Sequence, residues 1–331
     1  MDGKKLNVYI TTYNRSEYLK KSIDSVLAQT YKDYDLFILD NCSDDDTEAV
    51  VKSYDDPRIH YIRHEKNLGG LYNYQYAVRH NKAEYYIVFH DDDTMNPDML
   101  ESEVNYLDTH PDVSIVSSVS DHIDETGASY KGDTSATEIL MTKQNIEEIV
   151  LSGEGFFKSY FYEGINIVYP SIMYRDRFMK ANNLSPAEEA GPSRDTQLLF
   201  EIERTGGKSA ILNKPLMNTR MHKDQDSFVN FGIMYEKLFN YLRKDPYYAD
   251  LLEKYKSGCH QLYKRLSRII AVNLIKGKFD KEKAKDCEYR IWKAIGGKRI
   301  DKFKYTAITT VYRCFPRLVR KKTENYLAGR M

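Results

Sequence analysis

The chain has little of several things that mark common protein classes. Its four cysteines (Cys42, Cys259, Cys287, Cys314) are scattered with no CxxC pair. That spacing excludes a disulfide framework or a zinc knuckle and reads as reduced thiols. No run reaches the about 18 apolar residues of a membrane helix, and IIAVNLI at 269–275 is core-sized. The strand-like run LNVYITT begins at residue 6, so no signal peptide is expected and the reading is cytoplasmic. Missing too are GxxxxGKS/T, a GxGxxG after the first strand, HExxH and GxSxG. Phosphate-loop NTPases, dinucleotide dehydrogenases, zinc proteases and α/β-hydrolases therefore lack their defining element.

Net charge is absent as well, with 49 Lys+Arg against 49 Asp+Glu over 331 residues. The balance hides an asymmetry. Residues 254–331 hold 22 basic and 6 acidic side chains, a net of +16, so residues 1–253 carry −16. A composition of 41% hydrophobic and 30% charged residues is that of a globular chain, long enough for two domains. The expected division is an acidic body over 1–230 and a helical, basic region over 231–331.

Within the body two periods alternate. Apolar, β-rich runs at 6–12, 35–40, 59–63, 85–90 and 113–119 are strand-length. Helical patterns lie between them at 16–29 (Ser16 as cap), 46–54 (Asp46 or Thr47 as cap), 70–81 and 97–109 (Pro97 in the first turn). Strand–helix alternation predicts an α/β fold, a Rossmann-like and mostly parallel sheet with helices on both faces. Residues 120–165 read as irregular, with a strand at 166–174, a helix at about 195–205 and a strand at 209–219. Beyond 231 helices are expected over 231–243, 247–275 and 281–295.

Ligands of such sheets sit at the carboxyl ends of the strands. Three sequences fall there: Thr12–Tyr13–Asn14, Asp40–Asn41 and the run HDDD at 90–93. Three adjacent carboxylates repel one another unless a cation neutralises them, and an oxygen-rich set suits Mn²⁺ or Mg²⁺. A solvated acidic loop is the plainer alternative. Asp40 is placed to accept from a nucleobase N–H or a ribose hydroxyl, or else to order a turn. The glycines of NLGG at 67–70 open the third helix and let a ligand approach the backbone.

The pieces, in order, resemble the inverting glycosyltransferases of family 2, which have the GT-A fold. VYITTYNR opens the series, and ILDNCSDDDT is similar to the family's VDDGSxDxT. NLGG is similar to NxG, and VFHDDDTMNPDML to DxDD followed by PD. SRDTQLLFEI is similar to the ED-motif helix, and NKPLMNTRMHKDQDS to the segment ending in R-x-H…S. The resemblance spans roughly residues 5–227.

It implies a metal-dependent transfer of a sugar from a nucleotide donor, read as a UDP-sugar, to a glycan or lipid-linked acceptor of a cell-surface polysaccharide. Thr11, Tyr13, Asn14 and Asp40 would line the nucleoside. Asn67, Gly69, Asp91, Asp92 and Arg220 would complete the nucleotide-sugar site. Asp91, Asp93 and His222 would hold Mn²⁺ or Mg²⁺, and Asp195 would be the catalytic base. Three positions depart from the pattern. His90 stands at the first Asp of DxD, Arg194 at the acid before the base, and Tyr72–Asn73–Tyr74 where an arginine is common.

Plainer roles exist for two of these residues: helix capping for Asp195, in competition with Ser193, and a loop position for His222. Tyr160, Phe161 and Tyr162 are the aromatics placed to touch an acceptor. The basic region is expected on an anionic membrane surface at the inner face of the cell membrane, through RLVRKK at 317–322, or in a homo-oligomer contact. Other classes are an inactive family member, a sugar-nucleotide pyrophosphorylase and a nucleic-acid binder. A pyrophosphorylase would want a Gly-rich basic loop where TTYNRSEY stands. A nucleic-acid partner would explain the basic tail but not the acidic strand ends.

Overall fold

Alternate residues of the first strand, Leu6, Val8 and Ile10, are fully buried, as a central strand covered on both faces requires. A computed structural model describes residues 4–130, 135–222 and 225–296. These form two compact units, one of described residues up to 188 with 195–222, the other of 189–194 with described residues from 225 onward.

In the first unit the chain runs β1 (Leu6–Thr12), α1 (Ser16–Leu27), β2 (Tyr34–Asp40), α2 (Thr47–Lys52), β3 (Ile59–Arg63), α3 (Gly70–His80) and β4 (Tyr85–His90). It continues through β5 (Thr94–Met95), α4 (Met99–Thr109), β6 (Ile115–Ile123), α5 (Ala136–Gln144), β7 (Glu148–Leu151) and α6 (Gly155–Tyr162). β8 (Met173–Arg175), α7 (Asp176–Ala181), α8 (Arg194–Arg204) and β9 (Ser209–Arg220) complete it. The strands form one sheet in the order β3-β2-β1-β4-β8-β6-β9-β5, with β7 on β9. β3, β2, β1 and β4 pair in parallel, as do β6 and β9. Leu19, Ile23 and Val26 of α1 fall at helical spacing and pack on Leu6, Val8 and Ile10, with Met99, Leu100 and Val104 of α4 in the same core. Each such side chain contributes about 1.5–3 kcal/mol on burial.

The sheet is mostly parallel, as expected, and adds antiparallel pairs of β8 with β4 and β6 and of β5 and β7 with β9. Several finer expectations are corrected. The run at 166–174 is a 3₁₀ turn over Tyr169–Ser171 and the three-residue β8, since Pro170 cannot donate to a ladder. The described residues of 120–165 include the end of β6, α5, β7 and α6. Tyr160 and Phe161 belong to the core, with ring centroids 5.6 and 6.3 Å from that of Phe200, and do not face an acceptor. Ser16 does not cap α1; its amide donates to Asp45 Oδ2 at 2.9 Å, and Asp45 also accepts from Thr47. Pro97 precedes the first turn of α4 rather than lying in it.

Glu103 on α4 is wholly enclosed, and neither carboxyl oxygen has a hydrogen-bond partner. Burial, with Ser118 opposing, pushes its pKa well above the usual carboxylate range. The fold therefore holds a proton that the unfolded chain releases above about pH 4. Stability is full below that pH and falls as pH rises, by up to about 1.4 kcal/mol per unit until the folded group titrates. Glu103→Gln should melt near the wild type at pH 4.5 and above it at pH 8. Equal melting at both values would place the proton elsewhere.

The second unit is helical, with α9 (Asp226–Val229), α10 (Phe231–Lys244), α11 (Pro246–Lys254), α12 (Lys256–Ile275) and α13 (Lys281–Ile295). The single helix expected over 247–275 is broken at Tyr255. α10 meets α13 closely enough that a Cβ on Gly232 falls 2.7 Å from Cys287 Cα. Gly232→Ala should therefore cost about 1–3 kcal/mol by overpacking, read as a lower melting temperature. Cys42, Cys259 and Cys287 are free thiols. No described helix is long and apolar enough to cross a membrane. The RLVRKK segment lies outside the described residues.

Candidate active site

Parallel register sets three strand ends side by side. Thr12 stands opposite Asp40, and Thr11 opposite His90. At the β2 end Asp40 is fully buried. Its Oδ1 accepts from the Ser43 amide (2.9 Å) and hydroxyl (2.6 Å). Its Oδ2 accepts from Tyr61 (2.6 Å), with Arg63 Nε 3.5 Å away. The carboxylate thus orders the turn after β2 and ties it to β3; an oxygen open to a nucleoside is not what the fold provides.

Asn14, at φ +53°, donates its amide to Ser43 Oγ and accepts from the Asp44 amide, holding the turns after β1 and β2 together. Asn41, placed at the second strand end from sequence, donates to Asn67 Oδ1 (2.7 Å) and accepts from the Leu68 amide (2.8 Å). Asn67 in turn accepts from the Gly69 amide. Gly69 sits at φ +82° with nothing within 4 Å of a Cβ position, so backbone stands open there. Tyr13 is 41% exposed and Thr11 half-buried.

The acidic run is built by chain segments far apart in sequence. From β1, Thr12 Oγ1 donates to Asp91 Oδ2 (2.8 Å), and Arg15 Nη1 reaches Asp91 Oδ1 (3.3 Å) and Asp92 Oδ2 (2.8 Å). From the end of β9, His222 Nε2 lies 2.9 Å from Asp92 Oδ2, and the Arg220 amide donates to Asp93 Oδ1 at 2.8 Å. Arg220 is only 1% exposed. Its guanidinium donates to the carbonyls of Asp92 and Asp124 (2.7 and 2.9 Å) and lies 5.0 Å from the Tyr18 ring centroid. Arg220 is thus a tie between strand ends, where the sequence reading set it on the donor.

Electrostatics follow from this packing. Burial first, then the charge of Asp92, pushes the Asp91 carboxyl up to about 6 and the Asp93 carboxyl up to about 7. Burial acts upward on Asp92 too, but the His222 hydrogen bond and the charges of His90 and Arg15 hold it at about 2. Two enclosed carboxyls that resist ionisation beside a third are what a divalent cation relieves.

The donor atoms that converge belong to His90, Asp92 and Asp93, all within 4.8 Å of one another. That set fits a divalent ion but regroups the expected ligands. Asp91 is turned toward Thr12 and Arg15, Asp92 takes its place, and His222 sits behind Asp92 rather than among the three. Arg15, Thr12 and Tyr18 were not assigned from sequence. An arginine just past the first strand, in a chain whose fourth strand ends in three carboxylates, was the available signal for Arg15.

Asp195 lies half-buried in the first turn of α8. The Ser193 hydroxyl just before it donates to the Met234 carbonyl. The Asp195 charge adds to burial in raising the pKa values of Tyr74 and Tyr174, so the three groups lie near one another. Thr196 beside it pairs with the Tyr169 hydroxyl at 2.5 Å.

Against known proteins, residues 7–189 match the profile of Glycosyl transferase family 2. An uncharacterized glycosyltransferase of Methanocaldococcus jannaschii is 28% identical over 267 residues, 80% of this chain and 84% of that one. TuaG of Bacillus subtilis, named for teichuronic acid biosynthesis, is 28% identical over 104 residues, 31% of this chain and 41% of its own. Among solved structures, S. aureus TarS with UDP-GlcNAc superposes at TM-score 0.59 and 15% identity, covering 88% of this chain and 81% of its own. The mannosyltransferase PcManGT of Pyrobaculum calidifontis, with GDP-Man and Mn²⁺, does so at 0.57 and 13%, covering 89% and 87%. The strand ends, the acidic run and these likenesses agree: the chain is a glycosyltransferase with the GT-A fold and belongs to glycosyltransferase family 2.

Proposed function

We propose that the protein transfers a sugar from a UDP-sugar to a hydroxyl of a glycan or lipid-linked acceptor in cell-surface polysaccharide biosynthesis, with inversion and with Mn²⁺ or Mg²⁺. The observation that carries this reading is the strand-end cluster of His90, Asp92 and Asp93, framed by Thr12 and Arg15 on one side and Arg220 and His222 on the other. A bound divalent ion would neutralise the diphosphate as it leaves. His90, Asp92 and Asp93 would hold that ion, and Arg15 and His222 would keep Asp92 ionised.

Tyr13 offers a face and the side-chain-free Gly69 leaves room for the base, while Asp40 and Asn14 keep the adjoining turns in shape. Asp195 would take the acceptor proton, and attack opposite the leaving group inverts the anomeric carbon. Nucleotide-sugar ligands in TarS and PcManGT, and the name of TuaG, support the donor and acceptor classes.

The test is a panel of nucleotide-sugars followed by thermal shift with and without Mn²⁺, since a ligand of the folded state raises the melting temperature by mass action. A metal-dependent shift with UDP-sugars, then an NMR coupling constant showing an inverted product, is the expected result. A shift with GDP-sugars alone would change the donor. No shift with any nucleotide-sugar would favour an inactive member.

The basic region belongs to the same proposal, holding the enzyme at an anionic membrane surface where a lipid-linked acceptor is presented. A net of +16 over residues 254–331 motivates it, at about 1 kcal/mol for each basic side chain near anionic lipid. The full chain should pellet with anionic vesicles, stay free of neutral ones and be released as salt rises. Protein left in the supernatant at low salt would make the region a protein contact, such as a homo-oligomer interface.

A further inference from the structure

The chain leaves the first unit after Glu188, runs through residues 189–194 as part of the second, and re-enters the first at Asp195. The residue read as the base is therefore the first to follow a stretch that belongs to the helical unit. That stretch is stiff and lies against α10 at two points. Ala190 is fully buried. Gly191 turns the backbone at φ +56°, so close to α10 that a Cβ there would stand 3.2 Å from Lys237 Cγ. Pro192 fixes the next φ. Ser193, 3% exposed, then donates its hydroxyl to the Met234 carbonyl at 2.7 Å.

Asp195 comes next but one, in the first turn of α8. On its other side Thr196 pairs with the Tyr169 hydroxyl, and Gln197 Oε1 accepts from the Ala187 amide at 2.8 Å. Ser193, Thr196 and Gln197 are buried, and Asp195 stands half-buried among them. Its neighbours, tied on both sides, thus hold the turn. An aspartate carboxylate is separated from its backbone by two rotatable bonds with few allowed rotamers, so fixing this turn fixes the carboxylate.

We propose that Ser193 is a positioning residue for the transfer step. Its hydrogen bond to Met234 sets the turn that carries Asp195, and residues of the helical unit take part in the chemistry through the peptide chain that leads to the base. The inference rests on the reading of Asp195 as the base and adds what holds that base in place. A general base must stand within about 2.6–3.2 Å of the group whose proton it takes. A displacement of about one ångström costs on the order of 10²-fold in rate, so a restraint at this distance along the chain bears on turnover.

The test compares Ser193→Ala, Ser193→Cys and Ser193→Thr with the wild type in the full chain, each alone and combined with Asp195→Asn. Turnover is read as UDP released from the UDP-sugar that gives the largest thermal shift, with water standing in for the acceptor hydroxyl. Donor binding is read as the Kd for UDP with Mn²⁺, and the fold by circular dichroism and melting temperature. The Met234 carbonyl keeps its place in the hydrogen-bond ladder of α10, so the variants should fold. Cysteine, close to serine in shape and with a weak S–H donor, carries the comparison if alanine does not fold.

Ser193→Ala should lower turnover by about ten- to hundredfold and leave the Kd for UDP unchanged. Threonine keeps the hydroxyl and should restore most of the rate, with cysteine in between. In the Asp195→Asn background the alanine substitution should change turnover by less than about twofold, because no base is left to misplace. A side chain that only stabilised the fold would lower turnover alike in both backgrounds. Wild-type turnover in Ser193→Ala, or a full further loss in the double variant, overturns the role of Ser193 and leaves Asp195 as the base. If Asp195→Asn alone turns over as the wild type does, the assignment of the base falls instead, and the role of Ser193 with it.

Discussion

Asp195→Asn should lower turnover by about 10²–10⁴-fold, the usual contribution of a positioned general base, and leave donor binding unchanged. Asparagine keeps the size of the side chain and its ability to accept a hydrogen bond in the first turn of α8. What it loses is the capacity to take a proton from the acceptor hydroxyl as the new bond forms. The split to look for is a fall in kcat with the Kd for UDP, measured by calorimetry with Mn²⁺, within error of the wild type. A matching loss of donor binding would mean that Asp195 holds the donor. Unchanged turnover would move the base to another acid, with Glu188 and Glu189 next to test.

Asp93→Asn should abolish transfer and remove the Mn²⁺-dependent part of UDP binding. Asp93 is fully enclosed, fixed by the Arg220 amide through Oδ1, and pressed by burial and by Asp92. Asparagine keeps the Oδ1 acceptor but withdraws the anionic oxygen that faces His90. It also takes one like charge out of a crowded strand end, so the variant should fold and melt no lower than the wild type without metal. Loss of metal binding together with retained stability marks a functional carboxylate rather than a structural one. Full activity in excess EDTA would remove the metal from the mechanism and with it the role of Asp93. Retained activity in Asp93→Asn alone would leave Asp92 and His90 as a sufficient pair.

Local chemistry made much of the first unit legible from sequence. Apolar runs at 6–12, 35–40, 59–63 and 85–90 became β1 to β4 within a residue or so, because central parallel strands such as β1 and β4 must be apolar on both faces and the edge strand β3 keeps a β-rich run. The same rule located HDDD, since a change from strand period to helix start marks a carboxyl edge. The segment 120–165 was read as irregular for the complementary reason. GFFKSYFY of α6 is apolar nearly all round, and only its burial against Phe200 gives it a definite face. The short β8 is held by neighbours on both sides, not by any propensity of Met173–Arg175.

For the site, the division is sharper. Sequence alone determined which residue types stand at each strand end, and therefore that a run of carboxylates gathers at one of them. It did not determine what each carboxylate faces. Asp40 turned inward because Ser43 and Tyr61 both donate to it. Asp91 was claimed by Thr12 and Arg15, and Asp92 by Arg15 and by His222, which is 130 residues away along the chain. Asp93 took its direction from the Arg220 amide on β9, and His90 its place from the register with β1. Those partners meet only when the parallel sheet closes, because a side chain in a crowded strand end points toward whichever donor stops it from repelling its neighbour. Residue identity is written locally, but the direction of a charge is set by the nearest opposite charge or hydrogen-bond donor, and here tertiary structure alone supplies it.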